Sequence, residues 1–89
     1  MDFEWDPSKA LGNERKHGVS FYEASEVFGD ELSLMVPDPD KSVGEDRYLI
    51  FGQSKGGGYL VVSYTERATR IRIISARNMT PRERKAYEQ

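Results

Sequence analysis

His17 is the only histidine in the chain, set between Lys16 and Gly18. Imidazole is the side chain best suited to carrying a proton near neutral pH, and the adjacent ammonium could bind a phosphate. A helix C-terminus also favours Lys and His through its dipole alone, so the pair has a structural reading as well as a chemical one. The second half of the chain adds Arg67, Arg70, Arg72 and Arg77. A planar guanidinium matches phosphate oxygens better than a point charge does, and fixed donors stabilise charge that builds up in a transition state. Taken singly, Arg70 and Arg72 also read as ordinary solvent-side residues. Glu83 and Tyr87 stand four residues apart, which puts them on one helix face. They could accept and donate a proton, or only cap a helix and bury an aromatic ring.

These groups suit metal-free cleavage of RNA. The substrate brings its own nucleophile, the ribose 2′-hydroxyl. The protein must align that hydroxyl, stabilise the phosphorane and manage two protons. Arginines serve the second task, and His17, Lys16, Glu83 or Tyr87 the third. DNA lacks the hydroxyl and would be rejected. Other chemistries lack a motif: Gly56-Gly57-Gly58 is not followed by Lys-Ser/Thr as in a P-loop, and no HExxH is present. The acidic stretch Asp38–Asp46 has Val43 and Leu49 where a calcium loop needs Gly and Glu, so it reads as a solvated loop. No cofactor and no metal are expected. The alternative reading is a non-enzymatic module whose basic sheet grips nucleic acid or an acidic protein. A third is a structural subunit that needs an obligate partner.

Charge is divided unevenly along the chain. Residues 1–46 hold 12 acids and 4 bases, whereas residues 47–89 hold 3 acids and 9 bases. The basic half points to an anionic partner, unless the halves neutralise each other across the fold. The 89 residues fit one domain spanning 1–89, and there are no cysteines to staple it. No apolar run approaches the roughly 18 residues of a membrane span, and the acidic N-terminus does not resemble a secretory signal. A soluble cytoplasmic protein with no membrane partner is expected.

The elements that must position these groups are marked by their ends. Asp6-Pro7 opens a helix over residues 7–16 that stops at Gly18. Ser20 and Glu23 have capping-box spacing and open a second, with Phe21, Ala24, Val27 and Phe28 as its apolar stripe. Strand character follows at 32–36, 47–52, 59–65 and 70–76. Thr80-Pro81 with Glu83 opens a last helix. The fold class is therefore α+β, in the order α-α-β-β-β-β-α, with a four-stranded antiparallel meander packed by helices. On the last strand Arg70 and Arg72 share one face and Ile71 and Ile73 the other. A regular strand would put Arg77 with the isoleucines, unless a bulge or the exit turn redirects it. Trp5 reads as a core anchor, not a platform for base stacking.

Two stretches resemble the BrnT family of toxins. The first is Phe3-Glu4-Trp5-Asp6 with Lys9, Asn13 and Lys16-His17-Gly18-Val19-Ser20-Phe21, then Glu23-Ala24. The second is Thr65-Glu66-Arg67, Ile71 to Arg77, Thr80, Arg82-Glu83-Arg84 and Tyr87. The resemblance implies a RelE-like fold and a bacterial endoribonuclease that halts translation. It implies neutralisation by a BrnA-type antitoxin that dimerises through a ribbon-helix-helix element. Two toxins and two antitoxins would form the complex, which touches operator DNA only through the antitoxin. Carried over by resemblance, the catalytic residues are His17, Arg67 and Arg77, with Lys16 and Arg72 as phosphate-binding support. One departure is Ala68, where the family often has glycine beside Arg67.

Overall fold

In the computed structural model, which describes residues 1–39 and 46–89, Asp6 and Gly18 bound the first helix. The Asp6 carboxylate accepts from Ser8 N at 2.8 Å, Pro7 takes a first-turn position, and Gly18 closes the end at φ 70°. This helix, α1, runs Pro7–His17. Helix α2 is Phe21–Glu26 and passes into a 3₁₀ turn at Val27–Gly29. Its capping box is only half made. Ser20 accepts from Glu23 N at 3.0 Å, but the Glu23 carboxylate instead accepts from the Ser54 hydroxyl at 3.0 Å. At α3, Pro81–Tyr87, the reciprocal box of Thr80 and Glu83 is complete.

The sheet corrects the four-stranded expectation. It has five strands in the order β1-β5-β4-β3-β2 and is mixed, not purely antiparallel. The meander is present as β2 (Leu34–Pro37), β3 (Tyr48–Gln53), β4 (Tyr59–Arg67) and β5 (Arg70–Asn78). Strand β1, Asp2–Glu4, adds to it in parallel, with Phe3 beside Ile71. Three residues are too few to show alternation, and the pairing needs an edge that arrives from the far end of the chain.

Helices α1 and α2 cover one face of the sheet. Val19, Phe21, Ala24 and Val27 meet Ile50, Leu60, Val62, Tyr64, Ile73 and Ala76 there, and each is nearly fully buried. Burying such side chains contributes about 1.5–3 kcal/mol for each large one. Trp5 packs edge-on to Phe21, as a core anchor would. Gly52 lets the 3₁₀ turn approach β3, because a Cβ there would lie 2.7 Å from Val27 Cγ1. On the other face α3 lies beside β2 and β3. The acidic stretch read as a solvated loop lies mostly outside the described residues. At its described start Asp38 is buried, its N–H donating to Arg47 O at 2.9 Å. No helix is long and apolar enough to cross a membrane among the described residues.

Candidate active site

Arg77 owes its position to one extra residue. Between β4 and β5, Ser63 pairs with Ser75 but Tyr64 pairs with Ile73, so Ile74 is left over as a bulge. An inserted residue reverses the in–out parity of the strand beyond it. Ala76 therefore turns into the core with Ile73, and Arg77 turns to the opposite face, with Arg72 and Arg70. A regular strand would have buried this guanidinium beneath the helices.

Once there, Arg77 is held at three points, one of them the Asn78 carbonyl, which accepts from Nη1 at 3.2 Å. Its Nη1 and Nη2 donate to Glu83 Oε1 and Oε2 at 2.7 and 3.0 Å. Glu83 Oε1 also accepts from Thr80 N at 2.9 Å, so the capping box and the arginine clamp share one carboxylate. The Arg77 hydrogen bonds, opposed by partial burial and aided by Thr80, bring the Glu83 carboxyl down to about 2. The same bonds raise Arg77 above its ordinary value. A carboxylate this acidic is a weak base at neutral pH, so Glu83 is better fitted to aim Arg77 than to take a proton.

A second basic group lies at the other end of the hairpin. Arg72 Nη1 donates to Glu4 Oε2 at 2.9 Å, and Arg70 approaches the other oxygen at 3.6 Å. The Arg72 hydrogen bond leads in holding the Glu4 carboxyl below its usual range. Arg70 and Arg67 add attraction, while burial opposes it. Arg67 pairs with Arg70 across the two-residue turn Ala68-Thr69. Ala68 sits there at φ 54°, a left-handed conformation that glycine adopts without strain.

His17 ends α1, and the element that fixes this end is Asn13, one turn earlier on the same face. The Asn13 amide donates to Val19 O and Ala76 O, each at 2.9 Å, and accepts from Ala76 N at 3.0 Å. Asn13 thereby closes the edge of β5 beyond the reach of β1. It anchors the end of α1 beside the residue that precedes Arg77. His17 is half-buried and Lys16 is exposed.

The sequence-predicted residues thus fall into two groups. The end of α1 with Lys16 and His17 is tied through Asn13 to the backbone of Ala76, the neighbour of Arg77 in sequence, while the Arg77 side chain and Glu83 lie on the opposite face of the sheet. Arg67 and Arg72 lie toward the turn. Arg77 pairs with Val61, six residues along β4 from Arg67, which is about 20 Å at 3.3 Å per residue. That span exceeds what one phosphate can bridge, so the two positions suit different phosphates of one strand. Tyr87 belongs to neither group. Its hydroxyl donates to Asp30 Oδ2, and burial together with that carboxylate pushes it up to about 12. Burial works against Asp30 ionising, but donation from Tyr87, Leu32 N and Gln53 N still holds its carboxyl below the usual range. This pair ties α3 to the start of β2. Among the described residues no group of three or more His, Asp or Glu side chains could hold a metal ion.

Asn13, Glu4 and Asp30 escaped the sequence reading as site-building residues. Nothing in an isolated polar residue announces a partner more than twenty positions away. The nearest signal was a polar residue at a position due to face the sheet in α1.

A family model described as the ribonuclease toxin BrnT of type II toxin–antitoxin systems matches residues 5–83. The chain is also similar to a solved structure, the 1.1 Å crystal structure of the Brucella abortus ribonuclease toxin BrnT. The match has 23% identity and a TM-score of 0.67, and it covers 90% of this chain and 97% of that one. At that identity the likeness is one of fold. A comparison with curated proteins gives no match.

Proposed function

This chain belongs to the BrnT family of ribonuclease toxins of type II toxin–antitoxin systems, and from that premise we propose a metal-independent endoribonuclease that uses the RNA's own 2′-hydroxyl. The observation that carries the proposal is the clamped Arg77, turned by the bulge onto the face of Arg72, one residue after the Ala76 backbone to which Asn13 anchors α1.

The 2′-oxygen loses its proton as it attacks the adjacent phosphorus in line. The phosphorane gains negative charge, the bond to the 5′-oxygen breaks, and that oxygen leaves with a proton. A 2′,3′-cyclic phosphate remains. Arg77 stabilises the phosphorane, because its fork is already fixed and needs no reorganisation. His17 moves a proton. Lys16 supports the same phosphate, and Arg72 and Arg67 hold a phosphate further along the strand. Glu83 aims Arg77, and Tyr87 keeps α3 in place.

In the cell this activity would halt translation until a BrnA-type antitoxin masks it. A ribbon-helix-helix dimer of that antitoxin would give a complex of two toxins and two antitoxins, and would carry it to operator DNA. A RelE-like ancestry fits helices packed on a twisted sheet. One domain over 1–89 and a cytoplasmic site of action complete the reading.

The experiment is cleavage of RNA by the purified chain with EDTA present. Cutting is expected, with no cut where the scissile ribose is replaced by 2′-deoxyribose. RNA left intact at high protein concentration would count against the enzyme. If His17→Ala leaves function unchanged while binding falls steeply with salt, the chain is a nucleic-acid-binding module instead.

A further inference from the structure

The bulge at Ile74 also sets the outward side chains of β5 in even step. Arg70, Arg72, Ser75 and Arg77 stand opposite Arg67, Thr65, Ser63 and Val61. Those partners are alternate residues of β4, so they share one face and follow one another at about 7 Å. Counted along β5 the intervals are two, three and two residues, and the inserted Ile74 makes them equal in space. Ile73 and Ala76 turn the other way, into the core. Ser75 is the one uncharged member of the row. It is exposed, and its hydroxyl makes no hydrogen bond among the described residues.

A row of evenly spaced donors fits a chain of evenly spaced anions. One step matches the length of one nucleotide in an extended strand, and arginine forks and hydroxyls are the donors that phosphates take from proteins. Glu4 and Glu83 engage Arg72 and Arg77 from the side, yet each guanidinium has five N–H groups and keeps some to spare. With Arg67 and Arg70 the row stays net positive. Ser63 and Asp38 settle where a strand runs. Ser63 is buried and its hydroxyl donates to Asp38 Oδ2 at 3.4 Å. That carboxylate repels a phosphate on the β4 side and directs it to the margin of β5, where β1 has already ended at Glu4. We propose that the outward face of β5 is a track for single-stranded RNA, taking four successive phosphates at Arg70, Arg72, Ser75 and Arg77. Ser75 is then the contact that joins the phosphate at Arg77 to those at the turn. The proposal rests on the ribonuclease reading given above and adds to it a binding residue and the form of the substrate. A duplex winds its backbone away from a straight row, so the track selects an unpaired strand.

The test measures binding apart from cutting, with the intact chain and labelled 2′-O-methyl oligoribonucleotides, which lack the attacking hydroxyl. Affinity should rise with each added nucleotide until four phosphates are present and gain little beyond. A hairpin duplex should bind at least about tenfold more weakly than an unpaired strand of equal charge. Ser75→Asp should weaken binding of the unpaired strand at least about tenfold. Leu11→Asp puts the same charge at an exposed position of α1 and should change binding little. Ser75→Lys should tighten binding and steepen its logarithmic salt dependence by about 0.7. The length series uses the unmodified chain and stands by itself if a variant fails to fold. A gain that stops at two phosphates, a duplex that binds as well, or equal losses in the two aspartate variants overturns the proposal. So does a polyglutamate peptide that binds as tightly, because the row then holds any anionic chain. A chain that shows the length series and the Ser75 effects yet cuts no RNA keeps the track and overturns the ribonuclease reading. One that cuts RNA and shows neither loses only the track.

Discussion

The two ends of β5 carry the same kind of side chain under different constraint. At the C-terminal end, Arg77 is gripped by both oxygens of one carboxylate, which the α3 capping box also fixes. At the N-terminal end, Arg70 and Arg72 divide Glu4 between them, and the Arg70 contact is long and its side chain 62% exposed. A fork fixed at both tips has little rotamer freedom left to lose when a phosphate arrives, whereas an exposed side chain such as Arg70 must still be ordered. The contrast teaches that arginine density alone does not locate chemistry. On the proposed reading the Arg77 end would stabilise developing charge, and the turn end would hold a strand by general attraction.

The sharpest way to break this contrast is to remove each arginine in turn. Arg77→Ala should lower the RNA cleavage rate by about 100- to 1,000-fold, the size of losing one fixed transition-state donor. Arg72→Ala should cost about tenfold or less and mainly weaken substrate binding. Equal losses, measured by single-turnover cleavage of a labelled RNA, would erase the distinction. Asn13→Ala tests what holds the two sides of the Arg77 end together. It leaves the Ala76 backbone groups without partners and should destabilise the chain by about 2–3 kcal/mol in urea unfolding. Cleavage should fall as the end of α1 loosens.

Glu83→Gln asks whether the clamp is electrostatic. In the folded chain the carboxyl titrates at about 2, below its unfolded value near 4.5. Its contribution is therefore present above about pH 4.5 and is lost as the pH falls through 2. With solvent screening of the part-exposed pair, Glu83→Gln should cost about 1–2 kcal/mol at pH 7. The difference from the unmodified chain should vanish near pH 2 in a thermal-unfolding series. A gap that persists at pH 2 would make the clamp a matter of shape. The smallest effect is expected at the turn. Ala68→Gly relieves the left-handed alanine and should add about 0.5–1 kcal/mol of stability. It should leave cleavage nearly unchanged, because Arg67 lies at the turn, six residues along β4 from the partner of Arg77.

Much of this architecture was legible in the sequence because its causes are local. Asp6-Pro7, Ser20 and Thr80-Pro81 each begin a helix, and Gly18 ends one, because caps and fixed φ angles act within a turn of the chain. The four strands of the meander were expected close to where they lie. The inventory of candidate groups was also legible, since His17, Lys16 and the arginines are a matter of composition.

The tertiary structure decided how those groups are arranged. Glu23 has capping-box spacing but gives its carboxylate to Ser54, because β3 ends within its reach. Strand β1 exists only because β5 offers it an edge. The choice between a buried and an outward Arg77 was open in the sequence, and a single bulged residue opposite β4 settled it. Short-range sterics and hydrogen bonds belong to a segment wherever it goes. Register, strand parity and the partner of a carboxylate depend on which distant segment arrives beside it.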